Sequence, residues 1–162
     1  MNKKLVALLA VATMGISVVG ATPQTQFTKG ETQVDLGATS VETKADVYGK
    51  ADYYVQSIYF DSDQDVPRAD QGANLQAALN AANQYKNDQV KLLGNADTDA
   101  NPQYNIGLSE RRVQDVAQYL VNNGVDANRL IGIANGDAKP VATNATANGK
   151  AENRRVDVFI HR

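Results

Sequence analysis

Residues 94–112 constrain the fold more than any other part of the chain. This stretch begins where an apolar run ends, passes through an acidic loop and continues with the spacing of an amphipathic helix. Asn101 is a favourable N-cap, Pro102 suits the first helical position, and Gly124 supplies a left-handed stop. The sequence therefore predicts a helix over residues 102–122 that follows a buried strand.

The predicted helix would bury one of its sides, at a turn of about 100° per residue. Arg112 borders the core on that side. Asp97 lies at the carboxyl end of the preceding strand, at the sheet end where ligands tend to bind in α/β layers. We therefore expect this carboxylate and this guanidinium to face one crevice that is open to solvent. The predicted buried side consists of a stripe of Asn105, Ser109, Arg112 and Val116 beside an apolar face of Val113, Ala117 and Leu120.

The remaining pattern is an alternation of strands and helices. Apolar and β-branched runs predict strands at residues 53–60, 90–96, 129–134 and 155–161. Pro67 is expected to open an Ala-rich helix that ends near Lys86, and residues 136–149 read as a loop. This order predicts a two-layer α/β sandwich with the helices on one face of the sheet. Right-handed crossovers make the first three strands the parallel part.

The chain begins with features of a secretory signal over residues 1–21. Lys3 and Lys4 precede an apolar run, and small residues end at Ala21, where we expect cleavage. The apolar run is shorter than the ~20 residues that a transmembrane helix needs. The chain has no cysteine, so we expect neither a lipid anchor nor a disulfide.

Charge argues against nucleic acid as a partner. Loss of the two signal lysines leaves 14 of 16 basic side chains against 18 acidic ones, a net charge of -4. Such a surface does not attract nucleic acid or anionic lipid electrostatically.

Two readings are open for residues 22–50. The segment is polar and poor in large apolar residues, which is typical of a leader or linker ahead of a domain. Alternation at residues 32–36 and a second candidate at 41–48 would instead give a short hairpin that extends the sheet or meets a partner. Either way, we expect residues 51–162 to form the domain.

Asp97 and Arg112 together suit a zwitterionic amino-acid centre. The carboxylate would take an ammonium, and the planar guanidinium would grip a carboxylate with two parallel hydrogen bonds. Asn105, on the same stripe as Arg112, would add a hydrogen-bond donor or acceptor. On spacing alone, a structural ion pair between Asp97 and Arg112 with no ligand is favoured over a binding site.

The motifs around these residues resemble those of the OmpA-like C-terminal domain. The domain is found in outer membrane protein A, peptidoglycan-associated lipoprotein and MotB. The resemblance runs from about residue 55 to residue 160. It rests on Gly94 to Asp97 (GNAD), Tyr104 to Val113 (YNIGLSERRV), Asn144 to Thr146 with Gly149, and Asn153 to Val156 (NRRV).

The resemblance implies a mixed four-stranded sheet and a binding role without enzymatic activity or cofactor. It implies that Asp97 holds the ammonium and Arg112 the carboxylate of the meso-diaminopimelate end of the peptidoglycan stem peptide. Arg154, the first arginine of NRR, and Asp61, after the first strand, are further candidates. It also implies a periplasmic protein associated with the cell wall or outer membrane. Envelope proteins could bind through residues 22–53.

The chain departs from the family pattern beside this site. Ala100 stands where a turn glycine is usual, Ala96 replaces a threonine, and residues 134–136 (ANG) replace the common Gly-Tyr-Gly. Because alanine does not easily take positive φ, we expect the loop after Asp97 to be shaped differently.

Other functions fit the sequence less well. An adaptor that no longer binds the wall is one alternative, and a glycosidase using Asp61 and Asp97 is another. Two stretches open like calcium loops, at Asp61 and at Asp97, but both lack the glycine and the glutamate that such loops require. His161 is the only histidine and takes the outward register of the last strand.

Overall fold

The apolar alternation and the Ala-rich stretches of this chain fold into one sheet and a layer of helices. The structure is a computed structural model that describes residues 27–28, 31–34 and 52–162. The strands are β1 Phe27–Thr28, β2 Glu31–Val34, β3 Asp52–Tyr59, β4 Gln89–Gly94, β5 Leu130–Ala134 and β6 Arg155–His161. The α-helices are α1 Gly72–Gln84, α2 Pro102–Asn122 and α3 Ala147–Asn153, and single 3-10 turns lie at Ala69–Gln71 and Ala127–Arg129.

The sheet is mixed, with strand order β1-β2-β5-β4-β6-β3. β4 and β5 pair in parallel, whereas β6 pairs antiparallel with both β4 and β3. β3, β4 and β5 therefore run in one direction, as the crossovers predicted. They form a single parallel pair because β6 lies between β3 and β4. The predicted α/β sandwich is confirmed: the four predicted strands form a mixed sheet, which β1 and β2 extend beyond β5.

The core lies between the sheet and helices α1 and α2. The apolar face predicted for α2 is buried, as are Ala78, Leu79 and Ala82 of α1, and the inward residues of β4 and β6 face both helices. The fully buried members of this core include Ile58, Ala78, Ala82, Val90, Leu92, Val113, Val116, Leu120, Val156, Val158 and Ile160. The alternating apolar residues of the strands and the apolar faces of the helices thus form one core.

Helix α2 has the predicted bounds. The side chain of Asn101 accepts a hydrogen bond from the backbone N–H of Tyr104 at 2.9 Å, and Pro102 is the first helical residue. Gly124, just beyond the helix, has a φ of 95°, which glycine adopts without strain.

Two predictions about the other helices are wrong. Pro67 does not open the first helix: it bridges to Phe60 at the end of β3, and α1 begins only at Gly72. The predicted loop 136–149 ends in a helix, α3, because Thr146 caps it by accepting from the backbone N–H of Gly149.

The outward side of β6 is more buried than its alternation predicts. His161 was expected to face solvent, but its exposed fraction is 2% and its Nδ1 lies 2.5 Å from Oδ1 of Asp52. Arg155 is also buried, beside Asp157.

Strands β1 and β2 form an antiparallel pair that joins the edge of β5. The second predicted strand, 41–48, and the signal at 1–21 lie outside the described residues, so the domain boundaries stay a prediction. In the part of the chain that is described, no helix has the length and apolarity to cross a membrane.

The close approach of β4 to α2 predicts a large effect of Gly94→Ala. An added Cβ would lie 2.3 Å from the backbone oxygen of Ser109 and 2.6 Å from Cγ2 of Val113. Because helix backbone does not give way easily, we expect the variant to lose about 1–3 kcal/mol of unfolding free energy, or more, in urea denaturation.

Gly72→Ala is the matched control. Gly72 has a helical φ of −55°, and nothing lies within 4 Å of an added Cβ. We expect this variant to keep or gain up to about 1 kcal/mol. Equal losses for the two variants would show that the contact between β4 and α2 is less close than described.

Candidate functional site

The topology brings four chain segments to one end of the sheet. β3 and β4 run in the same direction and are followed there by Asp61 and Asp97, and β5 is followed by Gly136. β6 runs the opposite way and starts at the same end, directly after Arg154. The predicted candidates Asp61, Asp97 and Arg154 thus lie on loops at this sheet end.

Arg112 lies beneath this end of the sheet, not in the open. Its exposed fraction is 0%, and each guanidinium nitrogen donates to a backbone carbonyl. Nε donates to Gln64 at 2.8 Å, Nη1 to Asn95 at 2.9 Å and Nη2 to Asp61 at 3.2 Å. The guanidinium carbon lies 5.0 Å from the ring centre of Phe60. The expectation that Arg112 faces solvent across a crevice is therefore wrong, because backbone carbonyls of two loops enclose it.

The electrostatics of Arg112 follow from this burial. Desolvation lowers the pKa of Arg112 to about 10, the negative charge of Asp97 acts in the opposite direction, and the positive charge of Arg154 lowers it further. The guanidinium still carries its charge at neutral pH. The three carbonyl partners compensate for the water it has lost.

Asp97 forms its ion pair with Arg154 rather than with Arg112. Nη1 of Arg154 lies 2.9 Å from Oδ2 of Asp97, and the two side chains have exposed fractions of 15% and 9%. Nε of Arg154 also donates to the backbone oxygen of Phe60 at 3.1 Å. The other carboxylate oxygen of Asp97 accepts from the backbone N–H of Asp99 at 3.1 Å. The partly buried ion pair of this site is therefore formed by Asp97 and Arg154, not by Asp97 and Arg112.

Asn105 stabilises the loop after Asp97. Its exposed fraction is 1%, and its Nδ2 donates to the backbone oxygen of Ala100 at 3.1 Å. Ala100 takes an ordinary negative φ, since Asp63 is the only non-glycine residue with positive φ among those described. The loop thus forms without the glycine that is usual at this turn. In the structure Asn105 serves the loop, and its predicted contact with a ligand stays a prediction.

The loop at residues 61–65 is fastened to helix α2. The hydroxyl of Tyr104 donates to the carboxylate of Asp63, and Nε of Arg111 lies 3.0 Å from Oδ2 of Asp65. Together with the carbonyl contacts of Arg112, these bonds fix the loop at its two ends and its middle. The carboxylate of Asp61 is exposed at the start of this loop.

Asn153, the first residue of the NRR motif, organises the loop before α3. Its Oδ1 accepts from the backbone N–H groups of Val141 and Ala142, at 2.9 and 3.0 Å. Its Nδ2 donates to the oxygens of Ala142 and Asn144. Lys150 of α3 forms an ion pair with Asp99. These contacts hold Arg154, the next residue after Asn153, next to the loop of Asp97.

A row of polar side chains crosses the sheet below the site, and sequence reasoning missed it. Asn135 donates to Oδ1 of Asn95 at 3.0 Å, and Asn95 donates to Oδ2 of Asp157 at 3.3 Å. Oδ1 of Asp157 accepts from Ser57 at 2.5 Å and from Arg155 at 2.9 Å. The row joins β3, β6 and the loops after β4 and β5. The signal available in the sequence was Asn95 and Asn135, two polar residues that directly follow the buried strands β4 and β5.

Gly136 is required by the same arrangement. It has a φ of 56°, and an added Cβ would lie 3.0 Å from Cγ1 of Ile106 and 3.2 Å from its backbone nitrogen. Its N–H donates to Oγ of Ser109, and its oxygen accepts from the N–H of Ala96 at 2.7 Å. The loop after β5 is thereby joined to α2 and to the end of β4.

The fold and the site define an α/β domain with a partly buried ion pair at the end of a mixed sheet. The family model of the OmpA family matches residues 59–154, more than half of the chain, and the chain belongs to that family. All five candidate site residues lie within the matched range. The resemblance found in the motifs is confirmed.

Relatives and solved structures agree with this assignment. Outer membrane protein A of Bordetella avium is 35% identical over 102 residues, which cover 63% of this chain and 53% of the relative. The peptidoglycan-associated lipoprotein from Burkholderia pseudomallei has a TM-score of 0.61 and 27% identity over 66% of this chain and 90% of that one. The cell wall anchor of the T6SS from Pseudomonas aeruginosa has a TM-score of 0.57 and 30% identity, over 74% and 92%. The chain spans about half or less of the length of several curated relatives.

The contacts of Arg112 predict a large loss of stability for Arg112→Met. The backbone oxygens of Asn95, Gln64 and Asp61 would lose their donor, and a buried group left unsatisfied costs about 1–3 kcal/mol. We expect the unfolding free energy to fall by about 3 kcal/mol or more in urea denaturation.

Arg111→Met is the control at the adjacent position. The side chain of Arg111 is 46% exposed and pairs only at the surface with Asp65, so a loss of at most about 1 kcal/mol is expected. A similar loss for both variants would contradict the role assigned to Arg112.

Proposed function

We propose that this protein binds peptidoglycan non-covalently in the bacterial periplasm and thereby associates the cell envelope with the wall. The observation that carries the proposal is the Asp97–Arg154 ion pair at the sheet end of an OmpA-family domain. The names of two structural relatives, a peptidoglycan-associated lipoprotein and a cell wall anchor, support the same role. The role is one of binding, without a chemical step.

The chemistry of the site fits the free amino-acid end of a stem peptide, as in meso-diaminopimelate. An ammonium group suits the carboxylate of Asp97. A carboxylate suits a guanidinium, and that of Arg154 is nearer to solvent than that of Arg112, whose buried charge adds to the positive potential below it. Direct contact of Arg112 with the ligand would require the carbonyl groups of Asp61 and Gln64 to move away. Asp61, with its exposed carboxylate, is at the rim of this site.

A single stem peptide would be held with moderate affinity. Each charge-assisted hydrogen bond contributes about 1.5–3 kcal/mol, and binding must overcome the loss of translational and rotational freedom. The expected Kd is about micromolar to millimolar. The wall presents many equivalent peptides, so rebinding would retain the protein there.

The proposed contact with an envelope protein through residues 22–53 stays separate from this site. The strands at residues 27–28 and 31–34 lie along the edge of β5, and not at the loops that carry Asp97. We keep this contact as a proposal that binding to isolated wall does not test.

Cosedimentation with purified sacculi tests wall binding. We expect the protein to pellet with sacculi, and Asp97→Asn to weaken binding by about tenfold or more, since one charge-assisted interaction is lost. Pelleting should also decrease with diaminopimelate added as competitor.

Glu152→Gln is the charge-matched control. Glu152 is exposed on α3, two residues before Arg154, and its loss should leave pelleting unchanged. If Asp97→Asn pellets to the same extent as Glu152→Gln, the site is assigned wrongly. If the parent protein does not pellet at all, the proposed function is wrong.

A further inference from the structure

We propose that Arg154 determines specificity at this site by exchanging partners: it neutralises Asp97 in the free protein and turns to the carboxylate of a zwitterionic ligand. The site would then reject simple amines and accept an amino-acid end. This inference rests on the proposed function, because it names the residue that selects the ligand there.

The contacts of Arg154 allow such an exchange. Only Nη1 bonds to Asp97, at 2.9 Å, whereas Nε is held by the backbone oxygen of Phe60 at 3.1 Å. Asp97 keeps its own anchor, because its other oxygen accepts from the backbone N–H of Asp99. The ion pair can therefore open while both side chains stay at the site.

The count of charges decides which ligand is accepted. Of the three charged site residues whose side chains are at most 15% exposed, Arg112 and Arg154 carry two positive charges and Asp97 carries one negative charge. An ammonium that displaced Arg154 from Asp97 would leave a guanidinium unpaired close to a second, buried one, and would add another positive charge. A zwitterion brings a carboxylate with its ammonium, so both Asp97 and Arg154 have a partner after the exchange.

The burial of the pair increases this selectivity. The side chains of Asp97 and Arg154 are only 9% and 15% exposed, so water screens their charges poorly. An unpaired guanidinium at this place is therefore disfavoured more than one on the open surface.

Three ligands of related length test the contributions of the ammonium and the carboxylate groups separately. These are meso-diaminopimelate, 1,5-diaminopentane, which lacks both carboxylates, and pimelate, which lacks both amines. Titration calorimetry on the full chain should give the tightest binding for diaminopimelate and at least about tenfold weaker binding for each of the others.

Arg154→Gln should change two affinities in opposite directions. Diaminopimelate should bind about tenfold more weakly, because its carboxylate has lost its partner. Diaminopentane should bind more tightly than to the parent protein, by about threefold or more, because Asp97 is no longer neutralised. A gain of affinity cannot come from a misfolded variant.

Two further variants complete the test. Arg162→Gln removes an arginine just beyond the other end of β6 and should change neither affinity. Arg154→Lys keeps the charge but not the planar fork. It should weaken the binding of diaminopimelate and leave the binding of diaminopentane unchanged. It serves as the deciding variant if Arg154→Gln does not fold.

The outcomes separate this inference from the proposed function. Suppose that the parent binds diaminopimelate. If Arg154→Gln then weakens the binding of both ligands or of neither, the exchange of partners is refuted while wall binding stands. The same holds if Arg154→Lys binds diaminopentane more tightly than the parent does. If the parent binds neither diaminopimelate nor sacculi, the proposed function itself fails.

Discussion

The buried guanidinium of Arg112 is the contact on which the site depends. One side chain of helix α2 bonds to the backbone at Asp61 and Gln64, after β3, and at Asn95, after β4. These loops have no regular secondary structure to fix them, and their carbonyl groups would otherwise need water. The planar guanidinium reaches the three carbonyl groups from three different nitrogens, whereas a lysine has all of its donors on one nitrogen. The helix thus sets the distance between the two loops that carry the acidic candidates.

The polar row beneath the sheet has the complementary effect. Asn95 lies between the two arrangements: its backbone oxygen accepts from Arg112, and its side chain bonds to Asn135 and Asp157. The loop that presents Asp97 is therefore held from the helix side and from the opposite face of the sheet. Buried polar groups that are bonded in this way keep one geometry, because any shift leaves several of them unsatisfied. Below the ion pair of Asp97 and Arg154, the site is thus held by hydrogen bonds on both faces of the sheet.

Much of this could be predicted from the sequence, and the failures have physical reasons. Helix α2 was predicted to its ends because its cap, its proline and its glycine stop are local signals. The orientation of Arg112 was not, because periodicity places a residue beside the core without saying whether a long side chain turns to solvent or to carbonyl groups from distant loops. Pro67 failed as a helix start because its strand bridge to Phe60 is a tertiary contact. The position of Arg154 depends on Asn153, whose bonds reach back to residues 141–144.

The two arginines show why position decides the role of a charge. Arg112 is enclosed by carbonyl groups, so removing or moving it leaves buried groups without partners, and it is suited to a fixed structural task. The pair of Asp97 and Arg154 is partly buried but retains some contact with solvent. Such a pair can be opened by a ligand that offers equivalent partners to both charges. The same fold thus uses one guanidinium to hold its loops, and we propose that the other recognises a ligand at the end of the sheet.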